Sequence, residues 1–136
     1  MFSHPAVIVH GIDHVRQVLR AGRPVVLLSG PGAALYAGTG WWLALMAIGR
    51  AEYPATQAAD ILDCGAAPGR ALEALRAGQR AIRLDTSVPA WPTLTSIADR
   101  LGAQVFADRP PAIDLGHGEA WRLDVWLAGD TGAKLR

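Results

Sequence analysis

The sequence is short of what several classes of function need. Its one cysteine, Cys64, has no partner for an internal disulfide, which fits a reducing, cytoplasmic setting. Charged residues make up only 18%, and the 13 basic and 12 acidic side chains are interspersed. No basic stripe suits a phosphate backbone, so nucleic acid is not an expected partner. The start, "MFSHPAVIVHGID", lacks a basic n-region and a small-residue cleavage site, and no signal peptide is expected. No charge falls between Arg23 and Arg50, a gap of 26 residues. Pro24, Gly30, Pro31, Gly32, Gly38 and Gly40 break that gap, and its two apolar runs are too short to span a bilayer. What the chain does have is apolar mass: 51% of 136 residues, with five tryptophans. That is enough for a single domain, with a core over 5–108 and an extension over 109–136.

Short apolar runs at 6–10, 24–29, 60–64, 81–85 and 103–108 lack strict alternation. Strands of that kind are covered on both faces, as in parallel sheets. Helical patterns separate them. Val15, Val18 and Leu19 share a face, with Asp13 placed to cap, and Leu94, Ile97, Ala98 and Leu101 repeat at helical spacing behind Pro92. "LRAGRPVVLLS" at 19–29 matches "LRAGQRAIRLD" at 75–85, and "DRLGAQVFAD" is a looser copy. Each is a helix end, a glycine at C′ and a strand, arising from a duplication or from the same loop chemistry used again.

The expected fold is therefore one three-layer α/β domain of about five mostly parallel strands. A flavodoxin-like order 2-1-3-4-5 is the first expectation, and half of a β/α barrel, ordered 1-2-3-4-5, is the alternative. Pro110 and Pro111 end the alternation. Beyond them Trp121, Leu123, Val125 and Leu127 alternate with Ala120, Arg122, Asp124 and Trp126, the period of a C-terminal edge strand. "AGDTGAKLR" is a polar end expected to fray. The helix near Trp41–Ile48 is apolar all round, which implies burial on several sides and a homo-oligomer.

Two glycine loops are candidates for a site. "SGPGAALYAGTG" lacks the Gly-Lys-Ser/Thr of a Walker loop, and Leu35 stands where a dinucleotide fingerprint needs its third glycine. Gly30 is kept as a ligand-binding candidate, but a plain turn is the expectation. "ILDCGAAPGRALEALRAGQRAIRLD" carries more, since Asp63 ends a strand and a Gly/Pro turn opens a helix. That stretch resembles the first motif of S-adenosylmethionine-dependent methyltransferases. The resemblance implies a cofactor turn at Asp63, Gly65 and Gly69, a ribose-binding acid at Asp85 and an adenine-side acid at Asp108. It covers about a third of the chain; two strands precede the motif and only 28 residues follow Asp108.

Other chemistry rests on single residues. Cys64 is a candidate nucleophile beside Asp63, or a small semi-buried residue. His10, closing the first strand, is the histidine best placed to exchange a proton, whereas His4 and His14 look solvent-facing. Asp114, His117 and Glu119 lie within six residues but fit no zinc spacing, so a polar turn is expected there and no metal. In the 2-1-3-4-5 order, His10 and Cys64 would flank one crevice, with Arg70 as the nearest cation and the helix opening at Gly69 facing any anion. The functional expectation is a small anionic metabolite, bound or converted at the C-terminal strand edge by His10, Asp63 and Cys64 with Gly65, Gly69, Arg70, Asp85 and Gly30. A non-catalytic oligomeric module and a methyltransferase-like domain are the alternatives. The cofactor, if any, is unknown.

Overall fold

The computed structural model describes residues 3–129. Strands β1 (Ala6–Ile8), β2 (Val25–Leu28), β3 (Ala58–Asp63), β4 (Ala81–Arg83), β5 (Gln104–Phe106) and β6 (Ala112–Asp114) alternate with helices. These are α1 (Ile12–Leu19), α2 (Ala33–Tyr36), α3 (Thr39–Glu52), α4 (Pro68–Arg76), α5 (Trp91–Leu101) and α6 (Leu123–Leu127). The fold is α/β: a parallel six-stranded sheet flanked by helices, in the three-layer, Rossmann-like class. All four residues of β2 are buried, which is why these strands read as continuous apolar runs. Gly22, Gly78 and Gly102 have φ of 71°, 101° and 72°, so each repeated joint turns on a left-handed residue.

The strand order is β5-β4-β3-β2-β1-β6, not 2-1-3-4-5. The first five strands follow one another in sequence, as in the alternative order. The difference comes from β6, a three-residue strand hidden behind Pro110 and Pro111 in the sequence. It takes the edge of β1 that a flavodoxin-like order gives to β3, pairing Ala6 with Ala112 and Ile8 with Asp114. β1 is therefore where the direction of addition reverses.

The chain packs as two compact units. Among the described residues one comprises 3–28, 45–59 and 110–129; the other comprises 29–44 and 60–109. In the first, β1 pairs in parallel with both β2 and β6. There α1 meets the second half of α3 so closely that a Cβ on Gly49 would lie 2.6 Å from Val15 Cγ1. Arg16 grips Glu52 through two hydrogen bonds, of 2.8 and 2.7 Å, across the same pair of helices. In the second unit β4 pairs with β3 and β5. Asp60, partly buried, accepts from Trp42 Nε1 at 2.7 Å and from Gln79 Nε2 at 2.8 Å.

Three local expectations change. Residues 120–127 are helical rather than an edge strand: a 3₁₀ turn (Ala120–Arg122) leads into α6. Leu123, Trp126 and Leu127 are the buried set there, and Trp126 Nε1 donates to Ala6 O at 2.7 Å. The alternating pattern coexisted with an i, i+3, i+4 face, and the helical face is the one that is buried. Likewise α3 buries one face, Trp42, Leu45, Met46 and Gly49, while Ile48 is exposed. Asp13 is not a cap, because α1 starts one residue earlier, behind Gly11. The polar end from Asp130 onward lies outside the described residues. Among the described residues no helix is long and apolar enough to cross a membrane.

Candidate functional site

Two side-chain clusters stand at C-terminal strand ends, one in each unit. The first is built on β1 and β6. His10 follows β1, Asp114 ends β6, and His10 Nε2 donates to Asp114 Oδ1 at 2.7 Å. Asp114 is fixed locally: Oδ1 also accepts Gly116 N–H at 2.8 Å, and its own N–H reaches Glu119 Oε1 at 2.9 Å. The tight turn needs Gly116, because a Cβ there would lie 2.6 Å from His10 Cδ2 and 2.8 Å from His10 Nε2. His14, one helical turn on, accepts the His10 backbone N–H on Nδ1 at 3.0 Å. His117 lies roughly parallel to the His10 ring at 6.5 Å, and its Nδ1 is 3.4 Å from Asp114 Oδ2.

Three of the four histidines thus gather round one carboxylate; His4 lies elsewhere on the surface. Burial alone would raise the Asp114 carboxyl. Hydrogen bonds from His10 and from the Gly116 N–H, with the charges of His10 and His117, outweigh it and hold the carboxyl below its usual range. With Nε2–H committed to Asp114, the His10 ring keeps Nδ1 as a lone pair. The expected polar turn at Asp114, His117 and Glu119 is present, and it is also the second half of this cluster. Among the described residues no group of three or more such side chains is arranged to hold a metal ion.

His14 gives a pH prediction. Burial first, then the neighbouring His10, lowers its pKa from 6.5. The unfolded chain then binds more protons just below that value, so this contribution to stability is present above about pH 6.5 and is lost as pH falls toward the folded pKa. Protonating Nδ1 also removes the acceptor for His10 N–H. Denaturant titrations between about pH 7 and 5 should therefore show wild type losing stability faster than His14→Asn, whose amide oxygen accepts the same N–H without titrating. Equal slopes would contradict this account.

The second cluster surrounds Asp63, which is fully buried. Its Oδ1 accepts Gly65 N–H at 2.7 Å and its Oδ2 accepts Arg109 Nη1 at 2.7 Å; Arg83 Nη1 stands 3.8 Å from Oδ1. Arg109 also donates to Ser29 O at 2.9 Å, and Ser29 Oγ accepts the Asp63 N–H at 2.9 Å. Arg83 meanwhile holds Asp85 at 2.9 Å. The two acids are therefore committed to arginines of their own chain. The glycine loops touch each other: a Cβ on Gly65, where φ is +56°, would lie 3.5 Å from Leu35 and 3.8 Å from Gly32 Cα. Gly30 is buried and its carbonyl accepts from Ser29 Oγ and Ala33 N–H. Gly69 is exposed, with no atom close enough to demand a glycine. Arg70 is exposed and turned along the helix to Glu73. Asp108 is exposed.

Cys64 is fully buried, and burial, followed by the charges of Asp63 and Glu73, pushes its thiol up to about 12. A thiol of that kind is an inert core group rather than a nucleophile. The expected pairing of His10 with Cys64 across one crevice also fails, because β2 stands between β1 and β3 in the sheet. Arg83, Arg109, Ser29 and Gly116 were not signalled by any motif. Only Gly116, two residues after Asp114, carried a local hint, since an aspartate often turns on the N–H two positions ahead. No family model matches the sequence, and a search of curated proteins finds none similar to it.

Proposed function

We propose that this chain binds or converts a small anionic metabolite at the C-terminal ends of β1 and β6, with His10 exchanging the proton and Asp114 orienting it. The observation that carries the reading is the 2.7 Å His10–Asp114 pair at the point where the strand order reverses. Crevices at such reversals are where open α/β sheets take their ligands. The imidazoles of His10, His14 and His117 offer donors and, when protonated, positive charge to an anion. The setting is taken to be cytoplasmic.

A thermal-shift panel of nucleotides, sugar phosphates, short carboxylates and S-adenosylmethionine tests this. A phosphate or carboxylate should raise the midpoint of wild type by several degrees more than that of His10→Ala. If no compound acts selectively on wild type, the reading falls. Stabilisation by S-adenosylmethionine in both proteins would favour the methyltransferase-like alternative at Asp63, Gly65, Gly69 and Asp85.

We also propose that the chain is a homo-oligomer, for which the specific support is Trp121 and Val125. They are 81% and 57% exposed, Trp121 in the 3₁₀ turn before α6 and Val125 within α6. Light scattering at micromolar concentration should return at least a dimer for wild type and a monomer for Trp121→Glu. A monomeric wild type rules it out.

A further inference from the structure

We infer that the N-terminus of α3 is a second anion site, built to take a phosphate or phosphomonoester, and independent of the His10 cluster. Thr39, the first residue of this 14-residue helix, is 4% exposed, and its hydroxyl has no hydrogen-bond partner among the described residues. Buried hydroxyls are nearly always bonded, so an unpartnered one marks a group the fold itself does not supply. The hydroxyl is out of contact with solvent as it stands, but helical Cα–Cβ bonds lean toward the N-terminus and a threonine there has two χ1 wells, so rotation brings it within reach of the helix mouth.

The backbone at the mouth is free in the same sense. The first helical hydrogen bond is Trp42 N–H to Gly38 O, at 3.3 Å. Among the described residues no acceptor meets the N–H groups of Thr39, Gly40 or Trp41. A Cβ on Gly38 or on Gly40 would meet nothing within 4 Å, so the backbone borders open space on that side. Three converging N–H groups, the positive end of a four-turn helix and one hydroxyl are what a phosphate oxygen set requires. The start of α4 lacks this combination. Pro68 has no N–H to give, and no unpartnered buried side chain stands there.

The test is a ¹⁵N-NMR titration of the full chain with inorganic phosphate and with glycerol phosphate. The amides of Thr39, Gly40 and Trp41 should move saturably with both, and a tighter monoester would identify a phosphorylated metabolite as the ligand. Thr39→Val should weaken binding about tenfold, as expected for a lost hydrogen bond to a charged group, and Thr39→Ser should restore it. His10→Ala should leave these shifts intact. The inference is overturned if these amides stay still up to about 20 mM phosphate, already weaker than specific sites, or if Thr39→Val binds as wild type does.

Discussion

Replacing Arg109 by methionine should cost about 3 kcal/mol of stability and lower the thermal midpoint by about 10 °C. The reason lies in what is left behind. Asp63 is 1% exposed at its side chain, and Arg109 is its closest ionic partner, at 2.7 Å; Arg83 stands farther off at 3.8 Å and is already committed to Asp85. Removing one member of a buried pair strands the other charge out of water, which costs far more than the pair itself contributes. The same substitution frees Ser29 O, which Arg109 also meets. Adding Asp63→Asn to Arg109→Met should recover part of the loss, because an amide still accepts the Gly65 N–H without carrying charge. A double variant no more stable than Arg109→Met would show that the stranded carboxylate is not the cause.

The second large effect is expected from a single methyl group. Gly116→Ala places a Cβ 2.6 Å from His10 Cδ2, 2.8 Å from His10 Nε2 and 3.2 Å from Asp114 Oδ1. The ring must leave, since the carboxylate is held by the Gly116 N–H and cannot yield as easily. His10 is partly exposed and can swing outward, so the fold should lose only about 1–2 kcal/mol. The dyad should be lost altogether. Nitrogen-15 spectra of the imidazoles should show the His10 ring confined to the Nε2–H tautomer in wild type and mixed in Gly116→Ala. A ligand that the thermal-shift panel finds selective for wild type over His10→Ala should bind the variant at least about a hundredfold more weakly, the scale of losing an oriented, charge-assisted contact. Unchanged tautomer and affinity would show that the His10–Asp114 contact does not depend on this turn.

Much of the architecture was legible in the sequence because it rests on local rules. Apolar runs without alternation marked strands covered on both faces. "LRAG" followed by an apolar run marked helix ends at Gly22 and Gly78, and the looser "RLG" did so at Gly102; all three turn with positive φ. The strand order was not legible. Every parallel crossover has the same hand whether the next strand falls to the left or right of its predecessor, and the deciding element was a three-residue strand behind two prolines. The site divided along similar lines. His10 and Asp114 were each visible as strand-end polar residues, but their contact spans 104 positions of sequence. Cys64 looked reactive only because burial, which silences it, has no signature in so short a motif. Arg109 followed the last of the strand-end aspartates without a pattern of its own, yet it is the residue that neutralises Asp63.

The most direct measurement is a ligand-observed and protein-observed NMR titration of wild type with a panel of small phosphates and carboxylates. The account predicts that compounds which bind will shift the backbone signals of residues 9–14 and 114–119, together with the His10 imidazole. A panel in which no compound moves the His10 imidazole, all shifts falling on residues 29–41 or 63–70, would contradict it.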